Sequence, residues 1–396
     1  MWTNKQHIMS RLAKDHRVIH VDHGLRIFPQ YLWRRLRKNP RDILKGPALL
    51  WDGVSRRDDH LFVADHWAPL IAQIFPRGTS IRTLSEYDLK VLFLKAYLKR
   101  EGINDPIVWV YHPGFAKAVR HLPRKLLVYD CVDNYEAFPN YKKSAKWVRE
   151  FEDHLCREAD LVFTTSEPLY ELRRPLNPDN TYLVHNVGDA EHFGRAMQPG
   201  AVPSDIADIQ GPVIGFVGAV SDYKVNLEWI QNAADARPNW TFVLIGPVGE
   251  ADPTTRLGKI RQTQNIRVLG HRDYEVLPDY CRGFDVTVIP YRINEYTQSV
   301  FPIKFFEFLG TGKPVVTSAL PSILAYRKYV RVAETSEEFV QLCEDALNDP
   351  ESGREGRLEV ARTNSWPKRI GELMGHIDQK LTTMSNAKNP AVRAAR

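Results

Sequence analysis

The chain has 396 residues, more than one ordinary hydrophobic core accommodates, and suits two domains at the usual ~150 residues each. With 43% hydrophobic and 26% charged residues, it has the composition of a globular protein, which excludes extended disorder. The net charge is +6, and no run approaches the ~18 apolar residues of a membrane-spanning helix.

The first half alternates short β-branched and aromatic runs with amphipathic helical runs, although irregularly. We predict strands at residues 17–21, 60–64, 107–111, 126–129, 161–164 and 181–184, and helices at 4–14, 86–99 and 145–159. A doubly wound domain normally opens on a strand, whereas here a helix begins almost at once. The first strand of this domain is therefore predicted to be missing.

A basic segment lies between positions 26 and 45, with seven basic residues against one acidic residue, Asp42. The basic residues are Arg26, Arg34, Arg35, Arg37, Lys38, Arg41 and Lys45. Aromatic side chains are interleaved with them, a mixture that suits an anionic membrane surface, where each cation contributes on the order of 1 kcal/mol. The alternatives are a solvated basic loop or a cleft wall facing a phosphorylated substrate. Nucleic acid is not expected, because no nucleic-acid-binding motif accompanies the charge.

The second half follows a Pro- and Gly-rich linker at 197–204 and is more regular. We predict strands at 213–217, 241–245, 266–269, 285–289 and 314–317, and helices at 227–236, 254–263, 274–282, 303–309, 336–347 and 367–384. Strands that alternate with helices at this spacing predict a parallel sheet covered on both faces. Ligands of such sheets bind at the carboxyl ends of the strands.

The four cysteines, Cys131, Cys156, Cys281 and Cys343, are widely scattered. No C-x-x-C pair occurs, so the sequence indicates neither a zinc site nor a disulfide framework. This pattern is typical of a reducing compartment, and the first residues lack the apolar core of a signal peptide. We therefore expect a cytoplasmic protein, held peripherally at the inner face of the cell membrane if the basic segment binds lipid.

The leading candidate site lies within residues 299–316. The loop residues Ser299, Val300 and Phe301 precede the predicted helix 303–309, whose free N–H groups and dipole suit a diphosphate. Lys304 adds a positive charge in the first turn. Glu307 lies on the same helical face, where its carboxylate can accept hydrogen bonds from a ribose diol. From the residues alone, an exposed Lys304–Glu307 ion pair on an ordinary helix is the simpler interpretation.

This stretch resembles the donor-binding signature of GT-B glycosyltransferases of the family 4-like group (glycosyl transferases group 1), E-x7-E followed by small-x-G-x-P-V-V. Glu307 matches the second glutamate, which the resemblance implies binds the nucleotide ribose. Ser299 stands in place of the first glutamate, which in the family contacts the donor sugar. The P-x-K-x-x-E form present here is similar to a divergent branch common among bacterial surface-polysaccharide transferases.

The resemblance covers nearly the whole chain and implies an α/β protein with the GT-B fold, in which two Rossmann-like doubly wound domains face each other across a cleft. Residues 1–200 would then form the acceptor-binding domain and residues 201–365 the nucleotide-sugar-binding domain. A helix at 366–384 is expected to pack back on the N-terminal domain. The tail at 385–396 is expected to be disordered.

Three further residues are assigned to donor binding by this resemblance. Gly218 and Lys224 lie in the loop after the first strand of the donor domain, where a glycine admits the backbone close to the diphosphate and a basic residue meets it. Arg272 ends the turn 270–272, where family members hold the base, although it can equally be a solvated turn residue. Residues 158–166 and 184–193 resemble family passages that we expect to be structural.

Catalytic candidates follow two predicted strands of the first half. Asp133 is expected to be the base of an inverting enzyme, or to orient the acceptor in a retaining one, with Asp130 holding the turn. His112 matches by position a histidine that several family members place against the transferred sugar. The alternatives are capping for the two carboxylates and a core position for His112.

The resemblance therefore implies a hexosyltransferase, an enzyme of class EC 2.4. It would transfer a sugar from a nucleotide-diphosphate sugar to a lipid-linked or polysaccharide acceptor in bacterial cell-surface or exopolysaccharide synthesis. Neither a metal nor a cofactor is expected, because GT-B enzymes typically bind no catalytic metal and no metal-binding D-x-D loop is present. Two alternatives stay open, a GT-B sugar-nucleotide epimerase and a non-catalytic nucleotide-binding scaffold.

Overall fold

The structure is a computed structural model that describes residues 2–21, 54–56, 59–64, 86–252 and 254–388. The basic segment at 26–45 lies outside the described residues. Contacts divide the chain into a larger unit (Met1–Asn4, Cys131–Arg149 and Val162–Arg396) and a smaller unit (Lys5–Asp130 and Glu150–Leu161). The domain boundaries predicted at residues 200 and 365 stay predictions.

The described residues contain both element types in alternation. The strands are β1 (Val18–Val21), β2 (Val54–Arg56), β3 (Leu61–Ala64), β4 (Ile107–Val110), β5 (Leu126–Cys131), β6 (Leu161–Thr164), β7 (Thr181–Leu183), β8 (Val213–Val217), β9 (Thr241–Ile245), β10 (Ile266–Gly270), β11 (Val286–Ile289), β12 (Val315–Ser318) and β13 (Arg331–Ala333). The α-helices are α1 (Asn4–Leu12), α2 (Glu86–Arg100), α3 (Ala145–Glu158), α4 (Glu167–Arg173), α5 (Ala190–Gly194), α6 (Leu227–Ala236), α7 (Gly258–Gln262), α8 (Leu277–Arg282), α9 (Ile303–Gly310), α10 (Pro321–Leu324), α11 (Ser336–Asn348), α12 (Arg354–Thr363) and α13 (Trp366–Lys388).

The larger unit is built on a six-stranded sheet of order β10-β9-β8-β11-β12-β13. All of its pairings are parallel. Numbered within the sheet, the order is 3-2-1-4-5-6, which is that of a Rossmann domain. The predicted parallel sheet is confirmed. β13 adds a sixth strand, which was not predicted because a run of three residues is too short to show a pattern.

The carboxyl ends of these parallel strands lie at one edge of the sheet. β8 is followed there by Gly218, and β11 by Pro290 and Tyr291. The strand order reverses between β8 and β11, and doubly wound sheets bind their ligands beside that reversal. Both strands are buried along their whole length, so the loops that follow them start from fixed positions.

In the smaller unit, α1 precedes β1, and the prediction of a missing first strand stays a prediction. β3 pairs parallel with β1 and antiparallel with β2. β5 is buried at every residue and pairs parallel with β4. The Tyr129 hydroxyl on β5 donates a 2.5 Å hydrogen bond to Glu152 of α3, which satisfies a carboxylate with no solvent exposure.

The C-terminal helix α13 runs to Lys388, four residues beyond its predicted end at Met384. Its His376 ring lies 3.9 Å from the ring of Tyr182 on β7, and its Lys380 donates to the side chain of Asn180. Residues 389–396, the rest of the predicted tail, lie outside the described residues. None of the helices that the structure describes is long and apolar enough to span a bilayer.

Candidate active site

The helix α9 begins at Ile303, and Pro302 is its N-cap with an extended backbone rather than its first helical residue. The N–H groups of the first turn have no partner within a helix, and the dipole makes this end favourable for anions. Lys304 lies in this turn, at the carboxyl edge of the sheet. The start of α9 therefore has the geometry expected of the predicted anion site, and anion binding there stays a prediction.

The loop before α9 is fixed by its backbone carbonyl groups. Three side chains donate to three successive carbonyl oxygens: Ser166 to Ser299 over 2.7 Å, Ser322 to Val300 over 2.7 Å, and Asn186 to Phe301 over 2.6 Å. The side chains of the three loop residues are themselves buried. The geometry holds the helix start rigidly, while direct contacts of Ser299, Val300 and Phe301 with a donor stay predictions.

The side chain of Asn186 also joins distant parts of the larger unit. Its Oδ1 accepts hydrogen bonds from Asn4 over 2.6 Å and from Arg369 of α13 over 2.7 Å. Arg369 donates in addition to Oδ1 of Asn4 over 2.6 Å. All three side chains are buried, so the Phe301 carbonyl belongs to a closed polar network.

The ammonium group of Lys304 lies 2.6 Å from the phenol oxygen of Tyr291, which follows β11. A Cβ atom at Gly218 would lie 2.7 Å from both Cε and Nζ of Lys304. Gly218 therefore leaves room for the Lys304 side chain. The prediction gave another role to this glycine, which was to let the backbone approach a diphosphate. Lys304 and the loop after β8 meet at the strand-order reversal.

Lys224 reaches the same place from the loop after β8. Its Nζ lies 5.3 Å from the ring centroid of Tyr291 and 5.6 Å from that of Tyr296. Burial alone would lower the pKa of Lys224, but Tyr291, Tyr223 and Asp133 outweigh it and the pKa is raised. Lys224 therefore stays charged, as a phosphate-binding residue requires.

Asp133 is held beside these cations. The hydroxyl of Tyr296 donates a 3.0 Å hydrogen bond to Oδ1 of Asp133. Burial raises the pKa of Asp133, while Lys224 and the Tyr296 hydrogen bond act in the opposite direction. A carboxylate with a raised pKa accepts protons more readily, which suits a general base.

Glu307 is 7% exposed, and the Tyr274 hydroxyl donates a 3.1 Å hydrogen bond to its Oε1. The exposed ion pair with Lys304 is therefore the wrong interpretation. Burial raises the pKa of Glu307 to about 7, although Lys304 and the Tyr274 hydrogen bond lower it. A Cβ atom at Gly188 would lie 2.6 Å from the backbone nitrogen of Glu307, so the 184–193 passage packs directly on α9.

Comparison with known proteins finds similarity to glycosyltransferases. Residues 211–349, which contain β8 to β13, match the family described as glycosyl transferases group 1. The chain is 29% identical over 283 residues to the putative teichuronic acid biosynthesis glycosyltransferase TuaH of Bacillus subtilis strain 168, over 67% of this chain and 70% of TuaH.

Two solved structures share the fold. Sucrose-phosphate synthase from Thermosynechococcus elongatus has a TM-score of 0.68 and 17% identity, over 96% of this chain and 92% of that chain. HepE from Anabaena, in complex with UDP-glucose, has a TM-score of 0.58 and 16% identity, over 72% of this chain and 82% of that chain. The chain has the GT-B fold, and its residues 211–349 match the group 1 glycosyltransferases.

The segment that matches this family contains Gly218, Lys224, Lys304 and Glu307. The larger unit brings them together with Asp133, which lies outside that segment. The predicted resemblance and fold are thus confirmed. The individual roles of these residues stay predictions.

Arg272 is accounted for by contacts inside the protein. Its guanidinium bonds Asp205 over 2.8 Å, the Tyr280 hydroxyl over 2.7 Å and the Leu269 carbonyl over 2.7 Å. These bonds fix the turn after β10 without a ligand. Its assignment to the base of the donor stays a prediction.

His112 belongs to the smaller unit and is 5% exposed. Its Nδ1 accepts a 3.0 Å hydrogen bond from the backbone of Gly114 and caps the 3-10 turn Pro113–Phe115. Asp130, which has no solvent exposure, accepts a 3.3 Å hydrogen bond from the Trp109 indole. These contacts fit the core interpretation of His112 and the structural role expected of Asp130, and catalysis by His112 stays a prediction.

Three tyrosines organise the candidate site without having been predicted from the sequence. Tyr274 holds Glu307, Tyr291 lies between the two lysines, and Tyr296 holds Asp133. The position of Tyr291 just after a predicted buried strand was a usable signal, because strand ends supply ligand contacts. No local pattern marks the other two, whose partners are distant in sequence.

Proposed function

We propose that this glycosyltransferase transfers a sugar from a nucleoside diphosphate sugar to a lipid-linked or polysaccharide acceptor of the bacterial cell surface. The observation that carries the donor assignment is the convergence of Lys224 and Lys304 on Tyr291 at the strand-order reversal of the Rossmann sheet. TuaH, named for teichuronic acid biosynthesis, supports the acceptor class. HepE in complex with UDP-glucose supports the donor class.

The donor is assigned to the start of α9. Its diphosphate takes the two lysine ammonium groups and the first-turn N–H groups, all of which favour negative charge. Glu307 lies within the same helix, one turn further on, where its carboxylate accepts the hydrogen bonds of the ribose hydroxyls. The buried position of Glu307 strengthens those hydrogen bonds, because no water competes for the carboxylate.

The transfer step uses Asp133 as the base. The acceptor hydroxyl oxygen forms a bond to the anomeric carbon, and the bond from that carbon to the diphosphate oxygen breaks. The hydroxyl proton passes to the Asp133 carboxylate, and the nucleoside diphosphate leaves with the bonding electron pair. Lys224 and Lys304 stabilise the charge that develops on the leaving group, so the proposal requires no metal or cofactor.

A thermal-shift panel of UDP-, GDP- and TDP-sugars tests the donor site, because ligand binding raises apparent stability by mass action. We expect one nucleotide class to stabilise the wild type, and Glu307→Ala to abolish that shift while retaining the fold. Glu359→Ala is the matched control, since Glu359 is a 61% exposed glutamate on α12. An unchanged shift in Glu307→Ala would remove Glu307 from the site.

Product analysis with the stabilising nucleotide sugar tests the reaction. We expect release of the nucleoside diphosphate to require a glycan or lipid-linked acceptor. Conversion of the sugar nucleotide to an isomer without an acceptor would contradict transfer and identify an epimerase. Binding without turnover of any donor would identify a scaffold.

A further inference from the structure

The phenol oxygen of Tyr291 is the meeting point of two cations. Lys304 approaches it from α9 to 2.6 Å, and its Nζ lies 5.2 Å from the ring centroid. Lys224 approaches from the loop after β8, with Nζ 5.3 Å from the same centroid. Tyr291 itself is only 1% exposed. Two ammonium groups therefore lie against one buried phenol, and one of them is hydrogen-bonded to its oxygen atom.

This arrangement needs negative charge, because like charges repel more strongly where water is excluded. The two carboxylates of the site each accept a hydrogen bond from another hydroxyl group, and of the two Asp133 also helps to keep Lys224 charged. Asp133 accepts its hydrogen bond from Tyr296, and Glu307 accepts one from Tyr274. The side chain that lies against both lysines is Tyr291, through its phenol oxygen for Lys304 and its ring for Lys224.

The neighbouring phenols differ from Tyr291 in the charges around them. Burial raises the pKa of Tyr223 to about 12, and it raises the pKa of Tyr296 well above its ordinary value, with Asp133 acting in the same direction. Burial would raise the pKa of Tyr291 as well, but Lys224 and Lys304 outweigh it and the pKa is lowered. Among these three phenols, Tyr291 therefore loses its proton first as pH rises.

We propose that Tyr291 is a positioning residue of the donor site, whose phenol oxygen serves as the counter-ion of Lys224 and Lys304 until a diphosphate replaces it. Before binding, the phenol holds both ammonium groups charged and aimed at one point. When the diphosphate arrives, its oxygens take over the lysine contacts. This inference rests on the proposed function of the two lysines as diphosphate ligands.

A proton movement follows from this exchange. Where Tyr291 is a phenolate, the incoming diphosphate competes with it for the same cations and adds negative charge beside it. The phenolate then takes up a proton from solvent and becomes a neutral phenol. Diphosphate binding in the alkaline range is therefore coupled to proton uptake at one tyrosine, a signature that a merely structural ring would not give.

Ultraviolet difference spectra at ~295 nm, where tyrosinate absorbs, test the counter-ion directly. Titration of the wild type minus Tyr291→Phe should show one tyrosinate that forms below pH ~10, the ordinary value for tyrosine. Lys304→Met should move this step to higher pH, because one of the two stabilising cations is lost. Tyr223→Phe is the matched control and should leave the step in place, since Tyr223 keeps its proton in this range.

Inorganic pyrophosphate, added at the pH of half-ionisation, tests the replacement. We expect the 295 nm absorbance of the wild type to fall as the phenolate takes up its proton, with no such change in Tyr291→Phe. The counter-ion role of Tyr291 would be wrong if no tyrosinate formed below pH ~10, or if its formation were not moved to higher pH in Lys304→Met. Binding of pyrophosphate with unchanged absorbance would overturn the replacement alone, whereas no binding would overturn the replacement and the proposed donor site together.

Discussion

The Tyr274 hydroxyl donates a hydrogen bond to Glu307 from within an aromatic stack, in which the Tyr274 ring lies 4.5 Å from His192 and 5.3 Å from Trp2. This stack fixes the carboxylate at the candidate ribose position. Because burial outweighs the hydrogen bond, the pKa of Glu307 is about 7, within the physiological range. Both donor binding and stability should therefore depend on the ionisation of this residue.

Donor affinity should fall as Glu307 takes up a proton. A carboxylate is the stronger acceptor for ribose hydroxyls, and the ionised fraction drops about tenfold between pH 8 and pH 6 for a pKa of about 7. We expect the Kd for UDP-glucose to rise by up to about tenfold from pH 8 to pH 6, as measured by calorimetry. UDP-glucose is preferable to UDP, because its diphosphate has no terminal phosphate that titrates here.

The variant Glu307→Gln provides the control for that dependence. It cannot ionise, so its affinity for UDP-glucose should be weaker and nearly independent of pH between 6 and 8. A wild-type affinity that stays constant across this range would show that the ionised carboxylate does not bind the donor.

The free energy of unfolding should respond to Glu307 in the opposite sense. Its folded pKa of about 7 exceeds the ordinary 4.5, so its contribution is fully present below pH ~4.5 and is lost as pH rises through ~7. The cost well above pH 7 is roughly 3 kcal/mol. Glu307→Gln should therefore gain stability relative to the wild type as pH rises from 5 to 8, in denaturant titrations. Equal pH profiles of the two proteins would contradict the raised pKa.

Replacement of Asp133 should separate chemistry from donor binding. Asp133→Asn keeps the shape and can still accept the Tyr296 hydrogen bond, but it cannot take a proton. We expect kcat to fall by about 10²- to 10⁴-fold, with the Kd for the nucleotide changed far less. Asp153→Asn, at a partly exposed carboxylate of α3 that pairs with Arg157, is the surface control and should keep kcat. A parallel loss of nucleotide affinity in Asp133→Asn would instead indicate a role in holding the donor.

Asn186 should be critical for stability. Asn186→Ala removes the acceptor of two buried donors and the donor to the Phe301 carbonyl. Since buried polar groups without partners are costly, we expect a loss of about 2 to 4 kcal/mol in the free energy of unfolding. Asn180→Ala is the matched control, because Asn180 also bonds a cation of α13 but is only partly buried, and should lose less than ~1 kcal/mol. Equal losses of unfolding free energy in the two variants would show that the buried network of Asn186 contributes no more to stability than the partly buried contact of Asn180.

The sequence predicts the sheet of the larger unit well, because buried parallel strands are continuous apolar runs. The bounds of β8 and β9 agree with the prediction to the residue. The helix predicted at 254–263 is shorter, Gly258–Gln262, because a turn held by Asp252 precedes it. Local patterns thus specify elements, while their ends depend on side-chain hydrogen bonds.

The candidate site was predictable only in part. Lys304 and Glu307 were identified from the motif, but their exposure was not, since burial is set by chains that pack from elsewhere. The bond between Tyr296 and Asp133 joins residues 163 positions apart, and no window of sequence contains both. The pKa values that matter for chemistry arise from such long-range contacts.

The bond between Arg369 and Asn4 spans 365 positions and shares its partner, Asn186, with the carbonyl that precedes α9. At a synthesis rate of ~5 to 20 residues per second, about 20 to 70 s pass between the synthesis of Asn4 and that of Arg369. The start of α9 therefore cannot reach its final rigidity before Arg369 has been synthesised. A nucleotide that binds there would stabilise the chain only after that point.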